Sequence, residues 1–254
     1  MKTVLRHALR RSPESFGQHE RGAFGAWTPR GVDVTSRPAL PYPCLTLVTD
    51  RRRCRMPLDA AVERAVAGGV NLVELREKDL PADELLALAR RLRALTRGRA
   101  LLVVNDRVDV AMAAEADGAH LPERGLPVRD ARALLLRQAG GLVGRSVHGV
   151  AGALDAERDG ADYAILGTIY ATSSKPGVSP AGVGLVAEAS RATQLPLLAI
   201  GGVTAERVPE VMAAGAWGVA VISAVLDADA PTDAARRLRS VSRGVARISM
   251  LAPT

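Results

Sequence analysis

The chain carries thirty-one arginines but only three lysines, Lys2, Lys78 and Lys175. Two of these lysines sit in short polar runs, Glu74-Leu75-Arg76-Glu77-Lys78 and Thr172-Ser173-Ser174-Lys175. An ammonium is a compact point charge that suits phosphate oxygens, whereas a guanidinium is a planar fork. Both runs are therefore candidate anion sites; the alternative is that two surface lysines outlasted a drift towards arginine. A second anion signal is Gly201-Gly202 after Leu198-Ala199-Ile200. Glycines let the backbone approach an anion and present bare N–H groups. Val221-Ile222-Ser223-Ala224 would start a helix whose first amides point to the same place. A tight turn with positive φ is the competing reading of the glycine pair. An imidazole can give and take protons near neutral pH, which makes His148 an acid/base candidate unless it is a hydrogen-bonded histidine at a strand end. His120, inside Gly-Ala-His-Leu-Pro, is expected to pack and hydrogen-bond in the interior. Asn105-Asp106 could hold Mg²⁺ or polar substrate atoms, since Mg²⁺ favours one or two carboxylates plus substrate phosphates. Asp106 could equally cap a helix that starts near Arg107.

These residues need elements to position them. From residue 43 a short β-branched run, a turn and a stretch with helical period repeat. The strand candidates are Leu45–Thr49, Asn71–Leu75, Ala100–Val104, Gly118–Leu121, Leu142–Ser146, Tyr163–Gly167, Pro196–Ile200 and Gly218–Ile222. The helices between them fall near 58–68, 82–96, 107–115, 128–138, 150–159, 182–193, 206–214 and 232–246. Strict alternation implies right-handed crossovers and a parallel sheet. Eight units predict a closed (β/α)₈ TIM barrel over 43–250, preceded by a flexible extension over 1–42. An open doubly wound sheet is the alternative, but no Gly-x-Gly-x-x-Gly follows the first strand. In this barrel, function sits on the loops after the strands' C-terminal ends. That rim is where the lysines, Asn105-Asp106, His148 and the glycine pair all fall.

Composition narrows the class. The formal charge is +7, and residues 1–40 contribute seven cations against three carboxylates. A nucleic-acid surface needs clustered cations with interleaved aromatics, and the chain has only seven aromatic residues. The densest cluster, Arg51-Arg52-Arg53 with Arg55, reads as a solvated loop. No apolar run reaches the roughly 18 residues that span a bilayer. Cys44 and Cys54 make neither a disulfide framework nor a metal spacing. A cytoplasmic enzyme acting on small molecules is the expectation, with a homo-oligomer open. Residues 1–40 are Arg-rich and acid-poor, as targeting segments are, but lack an apolar core segment.

Eight ordered motifs together resemble one family. They are Glu-Leu-Arg-Glu-Lys-Asp, Val-Val-Asn-Asp-Arg-Val-Asp-Val-Ala, Ala-Asp-Gly-Ala-His-Leu, Gly-Arg-Ser-Val-His, Gly-Ala-Asp-Tyr, Thr-Ser-Ser-Lys-Pro-Gly, Ala-Ile-Gly-Gly-Val and Gly-Val-Ala-Val-Ile-Ser. From about residue 43 to 230 the chain is similar to the thiamine phosphate synthase/TenI family. One branch of that family joins a pyrimidine methyl diphosphate to a thiazole phosphate with Mg²⁺ and releases pyrophosphate. The other isomerises a thiazole carboxylate phosphate without a metal. The resemblance implies that Arg76, Lys78 and Lys175 bind diphosphate, and that Asn105 and Ser146 face the pyrimidine. It implies Asp106 as a metal ligand, and Thr172, Ser174, Gly202, Ile222 and Ser223 around the thiazole phosphate.

Three departures from the synthase pattern bear on the choice. Glu74 stands where the family usually has Gln, and a carboxylate there is expected to repel diphosphate. Pro122-Glu123-Arg124-Gly125 replaces a Gly-Gln-x-Asp whose Asp is the second metal ligand. Gly144-Arg145-Ser146-Val147-His148 is similar to the TenI-type motif, whose histidine is the proposed proton-transfer residue. The sequence reading is therefore a thiazole tautomerase with His148 as acid/base, Arg76 and Lys78 near the substrate carboxylate, and no cofactor. A Mg²⁺-dependent synthase using Asp106 is the alternative, and a non-catalytic regulatory paralogue is the third reading.

Overall fold

The structure is a computed structural model that describes residues 38–136, 140–174 and 177–251. Eight strands form a closed parallel barrel in sequence order, with the last pairing the first. They are β1 (Cys44–Val48), β2 (Leu72–Leu75), β3 (Leu101–Asn105), β4 (Gly118–Leu121), β5 (Leu142–Val147), β6 (Tyr163–Leu166), β7 (Leu197–Ile200) and β8 (Gly218–Val221). Around them lie α1 (Leu58–Ala67), α2 (Ala82–Thr96), α3 (Val108–Ala113), α4 (Val128–Leu136), α5 (Val150–Arg158), α6 (Val183–Ala192), α7 (Val208–Ala213), a four-residue α8 (Ser223–Leu226) and α9 (Pro231–Leu251). The predicted TIM barrel is thus present, with strand ends shifted by at most one residue. Residues 1–37 of the expected extension lie outside the described residues.

Two apolar layers follow from the period-2 alternation of each strand. Outward side chains such as Leu45, Leu47, Val73, Leu102 and Val104 pack against the helices. Inward ones, among them Cys44, Leu72, Val103, Leu142, Tyr163 and Leu198, fill the barrel. The strand runs are buried on both faces, as parallel sheets require. Among the described residues, no helix is long and apolar enough to cross a membrane.

One device recurs at the start of three of the four even strands. The residue just before β2, β4 and β6 is Asn71, Asp117 and Asp162. Their side-chain oxygens accept from the backbone N–H of Leu45, Leu102 and Val143 at 2.8, 2.8 and 2.7 Å. Each satisfies an amide at the start of the preceding strand, and Arg93 and Arg132 pair with the two carboxylates. The end of the barrel away from the rim is closed by residues 40–43. Trp217 Nε1 donates to Pro41 O at 3.0 Å, and the Trp217 ring lies 4.6 Å from that of Tyr42.

Candidate active site

At the C-terminal ends of the strands the barrel opens into a cleft of about 330 Å³. The sequence-derived residues Arg76, Lys78, Asn105, Ser146 and His148 line it on one side. Thr172, Ser174, Gly201, Gly202, Ile222 and Ser223 line it on the other. Lys175 lies outside the described residues. Asp106 is on the rim but does not line the cleft itself.

The β2 end carries the strongest cation set. The amide of Arg76 donates to the buried Thr49 hydroxyl at 2.9 Å, which fixes the strand's exit. Arg76 and Lys78 have no carboxylate within ion-pair distance among the described residues, although Lys78 stands between Glu77 and Asp79. The reason lies in the β1 loop, where Arg51–Arg53 form a turn of 3₁₀-helix. Arg51 pairs with Glu77 at 3.0 Å and with Asp79 at 2.7 Å, and Arg52 also reaches Asp79. Hydrogen bonds from Arg51 hold the Asp79 carboxyl well below the usual carboxylate range. Arg53 pairs with Asp227 and donates to the Ser173 hydroxyl at 3.1 Å. The arginine run expected to be a solvated loop is therefore an anchored one. It occupies the acidic neighbours of Lys78 and leaves the ammonium to the cleft.

Gly201 and Gly202 adopt φ of 102° and 61°, as the turn reading requires. A side chain on Gly202 would meet the Ala171 carbonyl, and Tyr170 Cβ at 2.9 Å. Loop 7 is thereby pressed against loop 6, and the Gly202 N–H donates to no group among the described residues. Arg207 stacks over Tyr170 at 4.4 Å and donates to Gly202 O, bracing the turn from outside. Ser223 and Ala224, at the start of α8, line the same cleft.

The floor holds a buried polar cluster. Glu74 is 2 % exposed and accepts from Asn105 Nδ2 at 3.0 Å. Burial pushes its pKa up to about 7, against the pull of Arg76, Asn105 and Lys78. The repulsion of diphosphate expected from Glu74 is accordingly weakened, because much of its charge is withheld near neutrality. His120 is in the interior, as expected. Its Nδ1 lies 3.3 Å from the Tyr163 hydroxyl and its Nε2 lies 2.9 Å from Ser146 Oγ. Burial, with Arg145 and Arg76 nearby, lowers its pKa to about 3 and keeps the ring neutral.

His148 sits half-exposed at the mouth, with Nδ1 3.2 Å from Glu123 Oε1. Asp106 does not cap α3. The N-cap of that helix is Arg107 with no side-chain cap bond, and Asp106 itself has φ of 63°. Its carboxylate instead faces Gly125, where an added Cβ would lie 3.1 Å from Oδ1. Among the described residues no group of three His, Cys, Asp or Glu could cage a metal. A single rim carboxylate still fits the way Mg²⁺ is held by one protein ligand plus substrate phosphates. Sequence reasoning missed the Tyr163 hydroxyl and the Glu123 partner of His148. Tyr163 gave no signal of its own because it only opens an apolar strand candidate. The Glu123–His148 contact joins two loops whose approach no local pattern encodes.

The family model described as "Thiamine monophosphate synthase" matches residues 45–225. A "Putative thiamine-phosphate synthase" of Geobacter sulfurreducens is 48% identical over 197 residues, covering 76% of this chain and 92% of that one. A "Thiamine-phosphate synthase" of Methanoculleus marisnigri is 48% identical over 200 residues, covering 77% and 93%. Among solved structures, a thiamine phosphate pyrophosphorylase from Pyrococcus furiosus superposes with a TM-score of 0.72 at 34% identity, over 80% of this chain and 96% of that one.

Proposed function

The chain belongs to the thiamine phosphate synthase/TenI family, and on that premise we propose that it is a thiamine-phosphate synthase. It joins hydroxymethylpyrimidine diphosphate to a thiazole phosphate and releases pyrophosphate. The observation that carries it is that one cleft is lined by two separate groups suited to anions, Arg76 with Lys78 and the turns that hold Gly202 and Ser223. A coupling of two phosphorylated substrates uses one set for each, whereas an isomerase would place the carboxylate and the phosphate of a single substrate on them. The relatives' names favour the first, so the isomerase reading drawn from His148 gives way to the transferase.

The roles follow from charge and place. Gly202, Ile222 and Ser223, with the Thr172 and Ser174 hydroxyls, hold the thiazole phosphate and aim the thiazole nitrogen at the pyrimidine methylene. The new C–N bond forms as the C–O bond to diphosphate breaks. Negative charge then grows on the leaving group, where Arg76 and Lys78 stabilise it. Asp106 would hold Mg²⁺ against the same diphosphate, and a bound Mg²⁺ offsets leaving-group charge. Asn105 and Ser146 orient the pyrimidine on the floor.

Purified protein given both substrates and Mg²⁺ should form thiamine phosphate and pyrophosphate, and EDTA should abolish turnover. Lys78→Ala should lower kcat/KM for the pyrimidine diphosphate at least tenfold and leave thiazole phosphate binding intact. The His148–Glu123 pair favours isomerisation as the second reading. Absence of coupling, together with tautomer conversion that is lost in His148→Ala, would replace the first reading with the second.

A further inference from the structure

The scheme above uses Ser146 but not the two buried groups behind it. Tyr163 and His120 are buried, and Ser146 lines the cleft. The hydrogen bonds run Tyr163 Oη to His120 Nδ1 and His120 Nε2 to Ser146 Oγ. Their direction follows from bookkeeping of donors. Among the described residues, the Tyr163 hydroxyl has one hydrogen-bond partner, His120 Nδ1. If it accepted there, its own hydrogen would be left unmatched inside the barrel, which is unfavourable. The phenol therefore donates and Nδ1 accepts. A neutral imidazole has one donor and one acceptor nitrogen, so the ring hydrogen lies on Nε2. Nε2–H engages a lone pair of Ser146 Oγ, and the serine hydrogen turns to the cleft.

We propose that Tyr163 and His120 are positioning residues that fix Ser146 as a hydrogen-bond donor, so that the floor selects a ring offering a bare nitrogen lone pair. A ring with C–H or N–H at that place has nothing to accept the serine hydrogen. The proposal rests on the synthase reading, whose pyrimidine supplies such nitrogens. Gly144, on β5 between the two buried rings, makes the room. A Cβ there would lie 2.5 Å from both His120 Nδ1 and Tyr163 Oη.

Two measurements test it. In a variant with His7, His19 and His148 each replaced by Gln, His120 is the sole histidine, and ¹⁵N NMR of its ring should report the Nε2–H tautomer at pH 7. An Nδ1–H ring would overturn the proposal, and this readout does not depend on which reaction the chain catalyses. The second arm compares hydroxymethylpyrimidine diphosphate with an analogue that has C–H in place of a ring nitrogen. Wild type should prefer the natural ring about tenfold, the scale of one hydrogen bond. Tyr163→Phe keeps the ring that fills the barrel, and should erase that preference with KM for thiazole phosphate unchanged. An unaltered preference in Tyr163→Phe would overturn the relay. Failure of wild type to couple the substrates, with the Nε2–H tautomer present, would sink the synthase reading and keep the serine polarity.

Discussion

At the scale of single residues, Glu74 couples the site to pH. Its folded pKa of about 7 lies above the ordinary carboxyl value of 4.5. A raised carboxyl pKa means that the folded state holds a proton the unfolded chain releases. Its contribution is therefore fully present below pH 4.5 and is lost as pH rises towards 7. At 1.36 kcal/mol per pKa unit, the loss is about 3 kcal/mol. Glu74→Gln keeps a carbonyl for Asn105 and has nothing to ionise. Its stability relative to wild type, measured by urea unfolding, should rise by about 3 kcal/mol between pH 4.5 and 7.5. A difference that stays flat across that range would mean Glu74 is ionised in the fold. The sequence marked Glu74 as a departure, but its protonation was not legible there. A carboxylate's charge depends on burial, and burial belongs to the closed barrel.

At the scale of elements, the 3₁₀ turn after β1 decides what the β2 loop can bind. Lys78 is flanked by two carboxylates, and a helix or a bare loop would leave them to neutralise it. Arg51 and Arg52 hold them instead. Arg51→Ala should release Glu77 and Asp79 towards Lys78 and raise KM for the pyrimidine diphosphate severalfold, with kcat for bound substrate little changed. Isothermal titration with inorganic pyrophosphate checks this without turnover, and an unchanged affinity would show that Lys78 needs no such protection. The strands and the rim were legible because apolar runs alternate with Ala- and Leu-rich helical stretches. This loop was not, because its pairs join residues 51–53 to residues 77–79 and 227, and charge runs alone do not name their partners.

At the scale of the whole molecule, the barrel closes on itself and residues 40–43 seal its lower end. We propose that the domain begins there. A chain starting at residue 38 should unfold in one cooperative transition with the midpoint of the full chain, read by circular dichroism. One starting at residue 44 loses the Pro41 acceptor and the Tyr42 ring from Trp217, and should unfold about 2–4 °C lower for each kcal/mol those contacts contribute. Equal midpoints for all three chains would show that the seal carries no stability. The eight-fold pattern, the rim and most of the cleft could be read from the sequence because each depends on local period and chain order. The cleft floor could not, since its polar contacts cross between strands far apart in the chain.

Gly144 and Tyr163 also constrain how this barrel can diverge. A methyl group at 144 collides with the tyrosine ring and the histidine, so any side chain there needs a smaller partner at 163. Descendants of this sequence that enlarge residue 144 must therefore change residue 163 with it.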